Sequence, residues 1–361
     1  MNKKYYIFAV ITFFFVALLS AQNDLNGSVD LINKYSDTAR LVKKEKNKFL
    51  PIALPITEPA VGYGLAAGLL YFMPKNDSKL TSDMAGAMGG GTSNGTWFAG
   101  GGYLGYWKRD RLRYTGFAGL GRINLDYYGF GGEPVAFSQE VAVFMQQLKF
   151  RMGDSKFYMG GKMQFSKIKI FREGDYFDPE DLDLWNNGIG FIAEYDKLNN
   201  FLSPTKGLKV SFTYDQMLEL LGTQTDWGRL QFNTRWYLEA SELWVPAFRF
   251  EFATATGDPP FYAYPYVSLR GIPAMRYQAK STLVLETEQL FNITDRWGIV
   301  GFTGIGSAIS SVDQNISNEV VWNAGAGVRF LALKSLGVKV GADIARGPED
   351  WAFYVNVGSA W

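Results

Sequence analysis

Few residues of this chain are arranged to do chemistry, and most familiar chemistries lack a required member. The segment Glu173-Gly-Asp-Tyr-Phe-Asp-Pro-Glu-Asp-Leu-Asp183 gathers six carboxylates, the hard oxygen ligands a divalent cation takes. A solvated acidic surface loop is the other reading. The runs Gly89-Gly-Gly91 and Gly100-Gly-Gly102 imitate phosphate loops, but no Gly-Lys-Ser/Thr follows them, and close packing or bends in a strand explain them as well. The chain has no His, which removes Ser–His and His–Asp hydrolysis and any His-coordinated metal. It also has no Cys, so disulfides, Cys-type metal sites and a lipoprotein anchor are excluded. These absences predict a chain that is not an enzyme and carries no cofactor and no metal.

The elements that hold these residues read as strands. In 208–214, Leu208, Val210, Phe212 and Tyr214 alternate with Lys209, Ser211 and Thr213; in 244–252, Trp244, Phe248, Phe250 and Phe252 oppose Val245, Ala247, Arg249 and Glu251. Residues 229–238 alternate in the same way. One face is aromatic and the other carries both charge signs. Long strands with this pattern suit a membrane barrel, with lipid outside and a wet or plugged lumen inside. The 40 Gly and 16% aromatic residues fit such a wall, and a net charge of only +1 argues against a nucleic-acid partner.

Met1-Asn-Lys-Lys4, the apolar stretch Ile7–Leu19 and Ser20-Ala21 have the order of a secretory signal peptide ending at Ala21. Residues 22–48 read as a polar periplasmic leader and 49–361 as the barrel. No later segment approaches the ~20 apolar residues of a membrane helix. The expected fold is therefore all-β, a transmembrane antiparallel β-barrel of about 16 strands with an inward-folding extracellular loop, in the outer membrane of a diderm bacterium. Short connections such as Lys108-Arg-Asp110 and Asp154-Ser-Lys156 are expected on the periplasmic side. Longer ones at 129–136, 173–186, 256–279 and 309–318 are expected outside.

Two strands carry special expectations. Pro51 and Pro55 lie four apart, so their missing N–H groups share one edge of the first strand. With the second strand on the other edge, that deficient edge faces the closing strand across the barrel seam. The result is either a weakly bonded gate or an entry strand that simply tolerates proline. The closing strand is read as 350–361, its greasy face ending on Trp361 at the lipid boundary.

Three stretches resemble the BamA/TamA outer-membrane assembly superfamily, also called the bacterial surface antigen barrel. Tyr195-Asp-Lys-Leu-Asn-Asn-Phe-Leu-Ser-Pro-Thr-Lys-Gly207 is similar to the family's turn between strands eight and nine, with Pro204, Thr205 and Gly207 at the motif positions. Leu269-Arg270-Gly271-Ile272 resembles the signature of its sixth extracellular loop. Glu286-Thr-Glu288-Gln-Leu-Phe291 and Arg296-Trp-Gly-Ile-Val-Gly-Phe-Thr-Gly-Ile-Gly306 look like its strands twelve and thirteen. The resemblance implies that Arg270 folds into the lumen and pairs with Glu286 and Glu288; the alternative is that it only orders its own loop. Gly304 stands where the family usually has Asp, so one expected carboxylate partner is missing. The family's periplasmic POTRA domains find no counterpart in residues 22–48, which are too few for a domain.

These readings leave two functions open. One is an assembly or translocation barrel that helps protein or lipid insert into or pass the outer membrane. The other is a passive channel or structural surface barrel without a client. Expected partners are outer-membrane lipid, the assembly machinery with this chain as its client, and a periplasmic protein that supplies the missing domains. The terminal aromatic also resembles the signal by which such barrels are recognised for insertion.

Overall fold

The structure, a computed structural model, describes residues 49–361 apart from 58–60, 74, 76–82, 129–133, 173–181, 201–202, 261–262, 274–275, 313–314, 334–336 and 350. The expected signal peptide, the leader and most of the acidic segment lie outside the described residues. The strands are β1 (Phe49–Ile56), β2 (Gly64–Met73), β3 (Asp83–Thr92), β4 (Trp97–Trp107), β5 (Leu112–Tyr128), β6 (Pro134–Arg151), β7 (Phe157–Arg172), β8 (Leu182–Trp185) and β9 (Gly188–Asp196). They continue as β10 (Gly207–Met217), β11 (Trp227–Tyr237), β12 (Trp244–Gly257), β13 (Ser281–Asn292), β14 (Trp297–Val312), β15 (Asn315–Leu333), β16 (Val338–Arg346) and β17 (Trp351–Val357). Among the described residues the helical structure is one three-residue 3-10 turn, Glu219–Leu221, and no helix is long and apolar enough to cross a membrane.

Every ladder is antiparallel and, except that β8 and β9 share β7 as partner, joins strands consecutive in the chain, in a meander that curves into a β-barrel. β7 pairs with both β8 and β9, through Lys167↔Trp185 and Gln164↔Gly188, in one continuous register. Across the break Ser166 still exchanges backbone hydrogen bonds with Asn186. β8 and β9 are therefore one interrupted wall strand, which makes sixteen strand positions.

The period-two pattern separates two environments. On β13, Glu286 and Glu288 are buried while Leu285 is 47% exposed; on β12, Ala247 and Arg249 are buried while Trp244 and Phe248 are exposed. The inner face is the polar one. Such an inversion is stable only where the outer face meets an apolar medium, because exposed aromatics in water would forfeit the burial that drives folding.

Several expected boundaries change, among them the connections at 129–136 and 173–186, which give up 134–136 to β6 and Leu182–Trp185 to β8. Residues 309–312 and 315–318, expected in a loop, are strand: Ile309↔Ser281 and Val312↔Asn315 extend β14 and β15, since main-chain pairing needs no apolar face. The second strand begins at Gly64, because Gly62 with φ +79° still belongs to the turn. The closing strand stops at Val357, where Gly358 takes φ +92° and turns the chain inward.

Candidate functional site: a loop arginine inside the barrel

The connection between β12 and β13 folds into the lumen because it carries its own apolar residues. Val267, Leu269, Ile272, Tyr277 and Ala279 form a core with Val284, Ala308 and Val321 of the inner wall. This packing carries Arg270 into the barrel. Gly271, with φ +85°, lies so close to the β16–β17 turn that a Cβ there would stand 2.8 Å from the Gly347 nitrogen, so a side chain would push the loop off the wall. Its backbone N–H donates to the Tyr354 hydroxyl at 2.9 Å, and the Asn323 amide donates to the Arg270 carbonyl at 2.9 Å.

Arg270 meets three carboxylates. Its guanidinium lies 3.1 Å from Glu286, 2.8 Å from Glu288 and 2.9 Å from Asp343 of β16. It also stacks 3.4 Å above the centre of the Phe302 ring. Glu286 is shared with Arg249 at 2.8 Å, Asp343 pairs with Arg329 as well, and the Asn356 amide donates to Asp343 at 2.7 Å. Three guanidiniums thus meet four carboxylates, Glu251 joining through Arg249 at 3.0 Å, in a site where the Glu286 and Asp343 side chains have no exposed surface. Planar, permanently charged groups suit this use. Breaking one partner leaves a buried charge and costs about 3–5 kcal/mol.

Glu286 and Glu288 thus lie beside Arg270, but Asp343, Arg249 and Arg329 were not anticipated. At Gly304 the space for a side chain is taken by Leu269 and Asn323, 2.8 and 2.9 Å from a Cβ there, and the third carboxylate comes from β16 instead. The available signal was Asp343 as the one acidic residue of its strand, flanked by Ala342 and Ile344.

Four other predicted residues gather at the mouth with the short turns. The turn after β9 is organised by Asn199, whose side-chain oxygen accepts from the N–H groups of Thr205 and Lys206 at 3.0 Å each, and whose amide donates to the Thr205 hydroxyl at 2.8 Å. Gly207, φ +116°, lets the chain pass Lys197, whose carbonyl would lie 2.0 Å from a Cβ. Pro204 lines a small cavity with Ser203, Lys339, Arg329 and Ser359. Trp361 comes to this mouth too, and not to the outer face: it is 9% exposed, packs on Tyr237 with ring centroids 5.8 Å apart, and lies 5.9 Å from the Arg249 guanidinium. The turn at Gly358 breaks the period of two that placed it in the wall.

Pro51 and Pro55 occupy β1, where the ladder with β2 runs unbroken through Pro51↔Leu69 and Pro55↔Leu65. The missing donors therefore do not interrupt that edge. Among the described residues no ladder joins β1 to β17, although the two strands are neighbours. Asp183, the end of the acidic segment, pairs with Lys167 at 2.9 Å, and no group of acidic residues fit to hold a metal occurs among the described residues.

An antiparallel barrel with this inward arginine can be compared with known proteins. Residues 150–358, more than half of the chain, match the Omp85 superfamily domain. The chain belongs to the Omp85 superfamily. No curated protein matches it. Among solved structures this Omp85 barrel is similar to BamA from Haemophilus ducreyi lacking POTRA domains 1-3, with TM-score 0.62, 14% identity, 87% of this chain covered and 71% of that one. It is also similar to CdiB from Escherichia coli (TM-score 0.62, 12% identity, 86% and 62% covered) and CdiB from Acinetobacter baumannii (0.63, 10%, 86% and 60%). At these identities the likeness is one of fold. The chain spans less than two thirds of either CdiB. Family and fold together imply an outer-membrane barrel of a diderm bacterium.

Proposed function

We propose that this Omp85 barrel inserts protein into, or passes protein or lipid across, the outer membrane by opening between β1 and β17. The observation that carries the reading is the seam: both strands pair on their inner edges, and among the described residues no ladder joins them. Pro51 and Pro55 deny β1 two donors, and the inward turn at Gly358 withdraws the last four residues from the wall. Arg270, in its carboxylate cage, holds the inward loop against β16, the strand next to the seam strand β17, which favours a lateral exit over a free central pore. Residues 1–21 serve as the signal peptide and 22–48 as a periplasmic leader.

A photocrosslinking scan along residues 49–57 and 351–361 in cells tests this. Trapped client polypeptide or lipid at seam positions is expected. Absence of any adduct, together with steady ion conductance through the purified barrel, supports the passive channel instead and overturns the reading.

A further inference from the structure

The β4–β5 turn has an unusual backbone. Lys108, Arg109 and Asp110 take φ of 51°, 58° and 60°, and they are the non-glycine residues with positive φ among the described residues. Side-chain-bearing residues avoid this region unless their surroundings force it. The force here is Asp110. Its carboxylate is buried in the lumen, accepting from Arg113 Nε at 2.7 Å and Nη2 at 3.0 Å and from the Tyr158 hydroxyl at 2.7 Å, with Arg151 as a further partner. With Asp110 drawn in, the turn presents Lys108, Arg109 and Arg111 outward, all exposed. Lys108 and Arg109 have no ion pair among the described residues. Among the described residues Arg111 has Asp154 as its ion partner, at 3.0 Å and largely in solvent, a weak contact.

Above this basic rim lies an aromatic slab on the outer face. Trp107 and Tyr114 stack at 5.3 Å with planes 9° apart, and Tyr103 stands 6.0 Å from Tyr114. Glycines floor it: Gly105 pairs with Tyr114 and Gly116 with Tyr103 across the ladder. A Cβ at Gly105 would lie 2.6 Å from the Trp107 indole nitrogen, and one at Gly116 would lie 2.6 Å from the Tyr114 hydroxyl. Both rings therefore lie back along the wall, away from the turn. The nearby carboxylate Asp83 is already engaged, pairing with Lys75 at 2.8 Å and accepting from the Tyr103 hydroxyl at 3.1 Å.

We propose that this turn and slab seat an anionic phospholipid of the periplasmic leaflet, its phosphate on Lys108, Arg109 and Arg111 and an acyl chain along Tyr103, Trp107 and Tyr114. The inference rests on the membrane placement of the barrel. Aromatic rings gather at headgroup depth, and cations beside them attract anionic headgroups. An acidic periplasmic protein would use the cations, but it would not reach a slab that faces the acyl chains.

Native mass spectrometry of the full chain, delipidated in detergent and titrated with phosphatidylglycerol or phosphatidylcholine, tests the seat. Retention of one phosphatidylglycerol is expected under activation that strips phosphatidylcholine, with Lys108→Gln/Arg109→Gln lowering apparent affinity about tenfold and Trp107→Leu, which keeps the charges, weakening it as well. Equal retention of the two lipids, or a double variant that binds like the wild type, overturns the proposal. So does binding of poly-glutamate without any preference for phosphatidylglycerol. Insertion into phosphatidylcholine nanodiscs separates the two failures: a barrel that inserts but shows no headgroup preference sinks the seat alone, whereas one that does not insert sinks the membrane reading.

Discussion

Arg270 Nη1 lies 2.9 Å from Asp343 Oδ2, joining an inward loop to a strand 73 residues further along the chain. Through that contact the loop holds β16, the strand on which β17 pairs. The state of the loop and the order of the seam are mechanically connected. Arg270→Ala or Asp343→Ala is expected to cost about 3–5 kcal/mol by stranding buried charge. The cost is read as a lower temperature for the heat-induced shift of the folded barrel on gels.

Gly304→Asp restores the residue usual in the family yet is expected to destabilise. A Cβ there meets the Leu269 side chain and the Leu285 carbonyl, both at 2.8 Å, and the carbonyl cannot step aside. Overpacking of this kind costs roughly 1–3 kcal/mol. If the same gel assay shows Gly304→Asp rescuing Asp343→Asn, the two positions are interchangeable and the Leu269 packing is not decisive.

Truncating Trp361 tests the inward tail. Loss of its packing on Tyr237, Ala247 and Leu198 is expected to lower stability by roughly 3 kcal/mol. It is also expected to raise small-solute leakage at this mouth. A Trp361→Ala barrel with unchanged stability and leakage would place the residue outside the lumen.

Acid is expected to loosen the outer end of the loop. Arg276 donates to both Glu349 oxygens at 2.9 Å, and the Tyr277 hydroxyl donates to Glu349 at 2.8 Å. The Arg276 hydrogen bond is the main influence holding the Glu349 carboxyl below its ordinary value, while burial, then Glu349, push the Tyr277 hydroxyl up to about 12. Because the folded value is lowered, the stabilisation is complete above the unfolded value of about 4.3 and vanishes as pH falls through the folded value. Limited proteolysis between pH 7 and pH 3 should show cleavage near 273–280 rising only below about pH 4.3, and Glu349→Gln should expose the same sites already at pH 7.

Hydrogen exchange should rank the strands. β17 and β1 are expected to exchange faster than β10 and β11, each paired on both sides. Pro51→Val/Pro55→Val, which returns two donors to β1, should slow exchange in β17. Equal protection of β17 and β11 in the wild type would sink the gate.

What could be read from the chain itself was local. The alternation in 208–214 and 244–252 assigns each side chain to lipid or lumen, because successive residues of a strand face opposite ways whatever they pair with. The same period counts out the wall, which reaches sixteen strands once β8 and β9 are joined, while Glu286 and Glu288 were marked as inward by the family resemblance. The Leu269-Arg270-Gly271 stretch marked the loop through its resemblance to known barrels. Tertiary structure alone decided the rest, since each feature depends on groups distant in sequence. Asp343 replaces a carboxylate at Gly304 because β14 and β16 both face the loop across the lumen. Trp361 leaves the wall because Tyr237 and Arg249 offer it a site inside. The left-handed turn at Lys108–Asp110 exists because Arg113 and Tyr158 hold Asp110 from within. Period two reports which face a residue takes; it carries no information about which distant charge will be waiting there.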